Sequence, residues 1–303
     1  MEIEPTMKRQ RNKARRTSRA WVRSSRLWWV VLGGGLVAVI AVLGLKLSLN
    51  RVLVLSISEG QLALVGDRFF RNECGSDPNK LTHWNRGEAF ISLGILHMLW
   101  YPGGVSETFR QTFPDFVRFS KKHGQAPPVW IEDALKTGCP WPDRHTFYDQ
   151  FDSELASSLR AFLEATTALQ AAFAHQRLVA GLRPMLKQAG ISERVCLAAK
   201  LFWLSRSAGG HFALIDYVNF KGEGLSPKER YRGQGWGLLQ VLESMPLPTS
   251  PPSALEGFTT AAKSVLSQRV ANAPDPAKEQ RWLPGWHKRI GTYLEPIEAP
   301  PTY

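Results

Sequence analysis

The residue best placed for proton chemistry in this chain is a glutamate at the end of an amphipathic stretch. Glu73 stands in Phe69-Phe70-Arg71-Asn72-Glu73-Cys74-Gly75, and Ser92-Leu93-Gly94-Ile95-Leu96-His97 follows some twenty residues later. Apolar Phe70 and Cys74 flank the carboxylate. Partial desolvation there raises its pKa and keeps it protonated, as a general acid requires. The bland alternative is a solvated glutamate at a helix end. No CxxC, HExxH or Gly-rich phosphate loop occurs in the sequence, so metal and nucleotide chemistry have no positive signal and no cofactor is expected.

The elements that must position Glu73 are legible around it. Ser58 with Gln61 three residues on fits a capping box, Ile57 can staple onto Leu62, and Leu62, Val65 and Phe69 keep a helical stripe. This predicts a first helix from Ser58 to about Asn72, stopped before Gly75. Between residues 73 and 104, Asp-Pro, Asn-Arg-Gly and Pro-Gly-Gly punctuate short apolar runs, which reads as loops and a small irregular sheet. Beyond that the pattern is helical: residues 106–122, one long helix from Asp152 to Arg183 with Pro184 as its stop, then 191–206, 210–220 and 253–270. Pro246 to Pro252 reads as a linker, and the chain after Glu295 as irregular. The fold class expected is mostly α with a small β element, in one domain over residues 58–295, with an irregular tail at 296–303.

The first fifty residues set the compartment. Nine Lys or Arg against Glu2 and Glu4 give residues 1–26 a net charge of +7, and the nineteen residues Leu27 to Leu45 carry no charge at all. That length matches a hydrocarbon core of roughly 30 Å crossed at about 1.5 Å per residue. The basic flank is held in the cytoplasm, so the expectation is a single-pass inner-membrane protein: tail 1–26, transmembrane helix 27–45, connector 46–57 and an exported body. A cleaved signal peptide is the rival, but Ala-Val-Leu-Gly before Leu-Lys-Leu is a poor cleavage site. Of the chain's +12, the tail supplies +7 and leaves the body only +5. A mildly basic body suits an acidic polymer or a lipid headgroup surface and gives no nucleic-acid footprint. Cys74, Cys139 and Cys196 are too few for a disulfide framework; one pair could bridge, and the sequence does not say which.

Four segments, in order, resemble the phage-type lysozymes. Asn72-Glu73-Cys74-Gly75 is similar to that family's helix-end catalytic acid, and Ser92-Leu93-Gly94-Ile95-Leu96-His97 to its Thr-Ile-Gly-Ile-Gly-His strand. Ala213 to Gly224 (ALIDYVNFKGEG) resembles the segment that opens the central core helix. Arg281-Trp282 with Gly285-Trp286-His287-Lys288-Arg289 is similar in type to the Arg- and Trp-bearing C-terminal helix. Two departures stand out: Leu96 replaces a Gly, and about 115 residues separate His97 from Ala213, so the resemblance is to an enlarged relative. A further run, Gly233-Gln234-Gly235-Trp236-Gly237-Leu238-Leu239-Gln240, resembles the Gly-Leu-Met-Gln segment of goose-type lysozymes and lytic transglycosylases. There the acid lies upstream, which would make it Glu223 or Glu229. The alternative reading of that run is close packing of loop against helix, which glycine permits.

The resemblance implies a lysozyme-like domain acting on the glycan strands of peptidoglycan. In it Glu73 matches the general acid and Ser92 the residue that positions water. The second carboxylate is Glu88 or Asp77, with Glu88 preferred for its nearness to the strand. Trp84, His97, Asn219, Gln234 and Trp236 are the substrate-contacting candidates. Trp100, Tyr101, Trp130 and Trp141 also sit in Gly- or Pro-bearing stretches where a ring can face a sugar; burial in the core is the alternative for each. Three functions follow from one fold: a glycoside hydrolase, a lytic transglycosylase, or a binding or envelope-assembly module that has lost turnover.

Overall fold

The computed structural model describes residues 55–297. The expected tail 1–26, span 27–45 and the connector as far as residue 54 lie outside the described residues. Among the residues described, no helix is long and apolar enough to cross a membrane.

The architecture is mostly helical with two small sheets. Helix α1 (Glu59–Cys74) starts on the expected capping box, with Gln61 N–H donating to Ser58 Oγ and Ser58 N–H to Gln61 Oε1. It ends where Gly75 takes a left-handed φ of 60°. Val65 and Phe69 are fully buried. A short 3-10 turn, Pro78–Leu81, leads into an antiparallel sheet of β1 (Thr82–His83), β2 (Ile91–Leu93) and β3 (Met98–Trp100). Thr82 pairs with Leu93 and His83 with Ser92; Ile91 pairs with Trp100, Ser92 with Leu99 and Leu93 with Met98.

Helices α2 (Phe113–Lys122), α3 (Val129–Thr137), α4 (Arg144–Asp149), α5 (Glu154–Ala165), α6 (Thr167–Gln188) and α7 (Ile191–Leu204) follow, with α6 lying along α1. Gly66 makes that crossing close, since a Cβ there would stand 2.8 Å from Thr167 O. Helix α8 (Ala208–Lys221) runs through the middle. Phe212 to Tyr217 are buried without interruption, as expected of a helix enclosed on all sides. The chain closes with the hairpin β4 (Arg230–Tyr231) and β5 (Gln234–Gly235), then α9 (Leu238–Ser244), α10 (Pro251–Asn272), α11 (Pro276–Gln280), α12 (Leu283–Gly291) and a 3-10 turn, Thr292–Leu294.

Four expectations need correction. The long helix predicted from Asp152 to Arg183 is two, α5 and α6, broken at Thr166. There the Thr166 hydroxyl donates to Phe162 O at 2.7 Å and Gln170 Nε2 to Leu163 O at 2.7 Å, so side chains satisfy the last carbonyls of α5. Pro184 does not stop α6; it sits on the exposed face, where water can reach the carbonyl it leaves unpaired, while buried Leu182, Met185 and Leu186 carry the helix on. Residues 106–112 are not helical. Instead they run beside β3, with Leu99 N–H donating to Thr112 Oγ1, Thr112 N–H to Leu99 O, and Tyr101 N–H to Gln111 Oε1. Finally, Ala213 does not open the core helix, because Ser207 caps it six residues earlier. All three cysteines are free thiols, and burial pushes Cys74 up to about 11 and Cys139 up to about 12.

Candidate active site

Glu73 lies in the last turn of α1, one turn beyond buried Phe69, so the packing of that stripe aims it at the domain's interior. Its side chain is 14% exposed. Two partners take its two oxygens. His97 Nε2 is 3.1 Å from Oε2, and an Arg289 terminal nitrogen donates to Oε1 at 2.6 Å.

His97 reaches Glu73 from the four-residue turn between β2 and β3, where its φ is 50°. Gln170, fully buried on α6, holds that turn by accepting from Ile95 N–H at 2.9 Å. Gly94 is required beside it. Its φ is 71°, and a Cβ would stand 2.2 Å from Gln170 Oε1.

Arg289 comes from α12 and joins Glu73 to a second carboxylate. Its Nε donates to Asp216 Oδ2 at 3.1 Å and its terminal nitrogen to Oδ1 at 2.7 Å, a bidentate pair. Tyr293 Oη completes the set, donating to Asp216 Oδ2 at 2.6 Å. Burial alone lowers the Arg289 pKa, but the Asp216 bonds and the charges of Asp216 and Glu73 outweigh it and raise the pKa above its ordinary value. Burial, reinforced by Asp216, pushes Tyr293 well above the usual phenol range, so it donates as a neutral hydroxyl.

Glu73 departs from expectation in its charge. Burial pushes its pKa up, as anticipated, but the His97 hydrogen bond and the Arg289 charge together hold it below the ordinary carboxylate value. The resting side chain is an ionised, doubly bonded carboxylate. Beside it opens a groove of about 390 Å3, lined by Glu73, Asp216, Phe220, Trp286, Lys288 and Arg289.

The other sequence candidates are distributed unevenly around this centre. Ser92 is on β2, buried, on the sheet face it shares with His83 and Leu99, and none of the partners of Glu73 is its hydroxyl. Glu88 is half-buried in the β1–β2 loop and accepts from Asn85 Nδ2 at 3.0 Å. Asp77 caps the 3-10 turn through Asn79 N–H. Trp84, Trp100, Tyr101, Trp141 and Trp236 are core residues; the Trp84 indole donates inward to Glu88 O at 2.8 Å. Trp130 is half-buried and packs on Trp100 and Trp141. Asn219 is exposed at the end of α8, and exposed Gln234 accepts from Asn272 Nδ2 at 2.7 Å.

Glu223 lies against Gly181 of α6, and Glu229 Oε2 accepts from Gly224 N–H at 2.7 Å. The glycine-rich run is a packing device, since a Cβ on Gly237 would fall 2.0 Å from Gly224 N.

Asp216, Arg289, Tyr293 and Gln170 form the site without having been assigned to it. Asp216 alone gave a signal: a carboxylate inside the run Phe212 to Val218 must be buried, and a buried charge requires a partner. No protein-family model, curated protein or solved structure matches the chain.

Proposed function

We propose that residues 58–295 form a lysozyme-like domain that acts on the β-1,4 glycosidic bonds of peptidoglycan, carried on the outer side of the inner membrane by a helix at 27–45. The observation that supports this best is the setting of Glu73: a nearly buried carboxylate at the end of the first helix, facing a β-turn histidine at the wall of a groove. Ionised as it rests, Glu73 is not yet an acid. A glycan that draws Arg289 away from Oε1 removes one of the two partners that lower the pKa, leaving burial opposed by His97 alone, so the pKa rises. Substrate binding thereby loads the proton that the leaving oxygen needs.

The chemistry favoured is lytic transglycosylation. Among the described residues, the only other carboxylate lining this groove, Asp216, is fully engaged by Arg289 and Tyr293 and cannot serve as a free base. Glu88, bonded to Asn85, is the alternative base for a hydrolytic route with Ser92. A binding module without turnover is the second reading, favoured by the saturation of both Glu73 oxygens.

The test is digestion of purified peptidoglycan by the full chain and by Glu73→Gln. Release of anhydro-sugar products that falls by orders of magnitude in the variant supports transglycosylation. Reducing ends with incorporated water support hydrolysis. Binding without any release, equal in both proteins, sinks the enzyme and leaves the binding module.

A further inference from the structure

A second groove of about 400 Å3 opens between the β4–β5 hairpin and helices α10 to α12, and Tyr231, Arg269, Lys278, Glu279, Trp282 and Trp286 line it. Trp286 also lines the Glu73 groove, so the two adjoin across one indole.

This wall is braced from behind. The Arg269 guanidinium lies 4.1 Å from the Trp236 ring centroid and 4.9 Å from that of Trp286. Both of its bonds go to Glu279, at 3.0 and 3.2 Å, and Glu279 Oε1 also accepts from Tyr231 Oη at 2.7 Å. Lys221 Nζ stands 3.6 Å from the Trp286 centroid and 3.9 Å from that of Phe220. Cations packed on rings in this way fix the orientation of the indole before any ligand arrives. Trp282, by contrast, is 53% exposed at the rim, with the Arg281 guanidinium 5.0 Å from its ring centroid on one side and exposed Lys278 and Asp275 nearby.

We propose that this groove binds a pyranose unit of the same glycan, with the apolar face of the sugar on Trp282 and the rim of Trp286, and its hydroxyls on Lys278 and Asp275. A pyranose combines an apolar C–H face with a hydroxyl edge, which is the pairing the groove offers. The inference rests on the reading of the Glu73 groove as a glycan site, because the shared Trp286 makes the two grooves consecutive stations for one strand.

The probe is the β-1,4-linked tetramer of N-acetylglucosamine, titrated calorimetrically into the full chain. Trp282→Ala should weaken binding by about tenfold, and Trp282→Phe should restore most of it. Because Trp282 is at the rim, unchanged thermal melting checks that the fold is intact. Affinity unchanged in Trp282→Ala, or no binding of the tetramer by the wild type, overturns the proposal. Suppose the tetramer binds in a Trp282-dependent way while peptidoglycan is not cleaved; the sugar site then stands and only the enzyme reading falls. Cleavage that needs Glu73, with tetramer binding indifferent to Trp282, removes the second groove alone.

Discussion

Asp216 and His211 lie on the same helix, both almost wholly shielded from solvent, and the fold treats them in opposite ways. Asp216 has every need met: two bonds from Arg289, one from Tyr293, and a charge balanced within 3.1 Å. His211 is fully buried, and among the described residues neither ring nitrogen has a hydrogen-bond partner of good geometry; backbone groups of Ser205 and Ser56 lie near it, and the ring of His175 stands 5.4 Å away. Burial, with His175 adding to it, pushes the His211 pKa down to about 4. Asp216, near the middle of α8, is met by Arg289 and Tyr293, whereas burial with no opposite charge beside it keeps His211 neutral.

The sharpest way to break this contrast is Arg289→Met. It strands Asp216 as an unpaired buried charge, and a denaturant melt at neutral pH should show a loss of about 3–5 kcal/mol. A loss under about 1 kcal/mol would mean that water reaches Asp216 and that its setting differs little from that of His211. Leu214→Ala probes the apolar packing between them. Its side chain is completely buried, so truncation should cost about 2–5 kcal/mol.

The histidine end predicts a pH dependence. A folded-state pKa of about 4 against an ordinary 6.5 means that the unfolded chain binds the proton more readily. The stability associated with neutral His211 is therefore complete above pH 6.5 and is lost as pH falls toward 4, by about 3 kcal/mol in all. His211→Leu should flatten that part of the curve, and an unchanged slope in the variant would assign it to other groups. The smallest effect expected is from His97→Ala. His97 is 53% exposed, so stability should barely move, but losing its hydrogen bond should raise the Glu73 pKa, as carboxyl NMR titration would read.

Local rules carried the sequence reading as far as they reach. Ser58 and Gln61 cap α1 because a capping box is decided within four residues, and Gly75 ends it for the same reason. Glu73 and His97 were both singled out, and they do meet. Arg289, 216 residues from Glu73, was legible only as part of a basic, Trp-bearing helix, since nothing local says which carboxylate an arginine will find. Thr166 and Gln170 were missed because an unbroken Leu pattern hides a break made by two side-chain hydrogen bonds. The aromatic residues of the glycine- and proline-rich stretches turned inward, leaving Trp282 and Trp286, which the sequence had marked only as part of a helix, at the grooves.

The segment at 109–112 lies against β3 and closes one side of the small sheet. By donating and accepting along β3, it occupies the backbone groups that a neighbouring molecule would need to add a strand. The sheet is only three strands wide, and an open side would make it a template for chain-to-chain pairing at high local concentration. Thr112 and Gln111 thus cover that side of the sheet: replacing both by alanine should leave the thermal melt little changed but raise self-association, as light scattering would read.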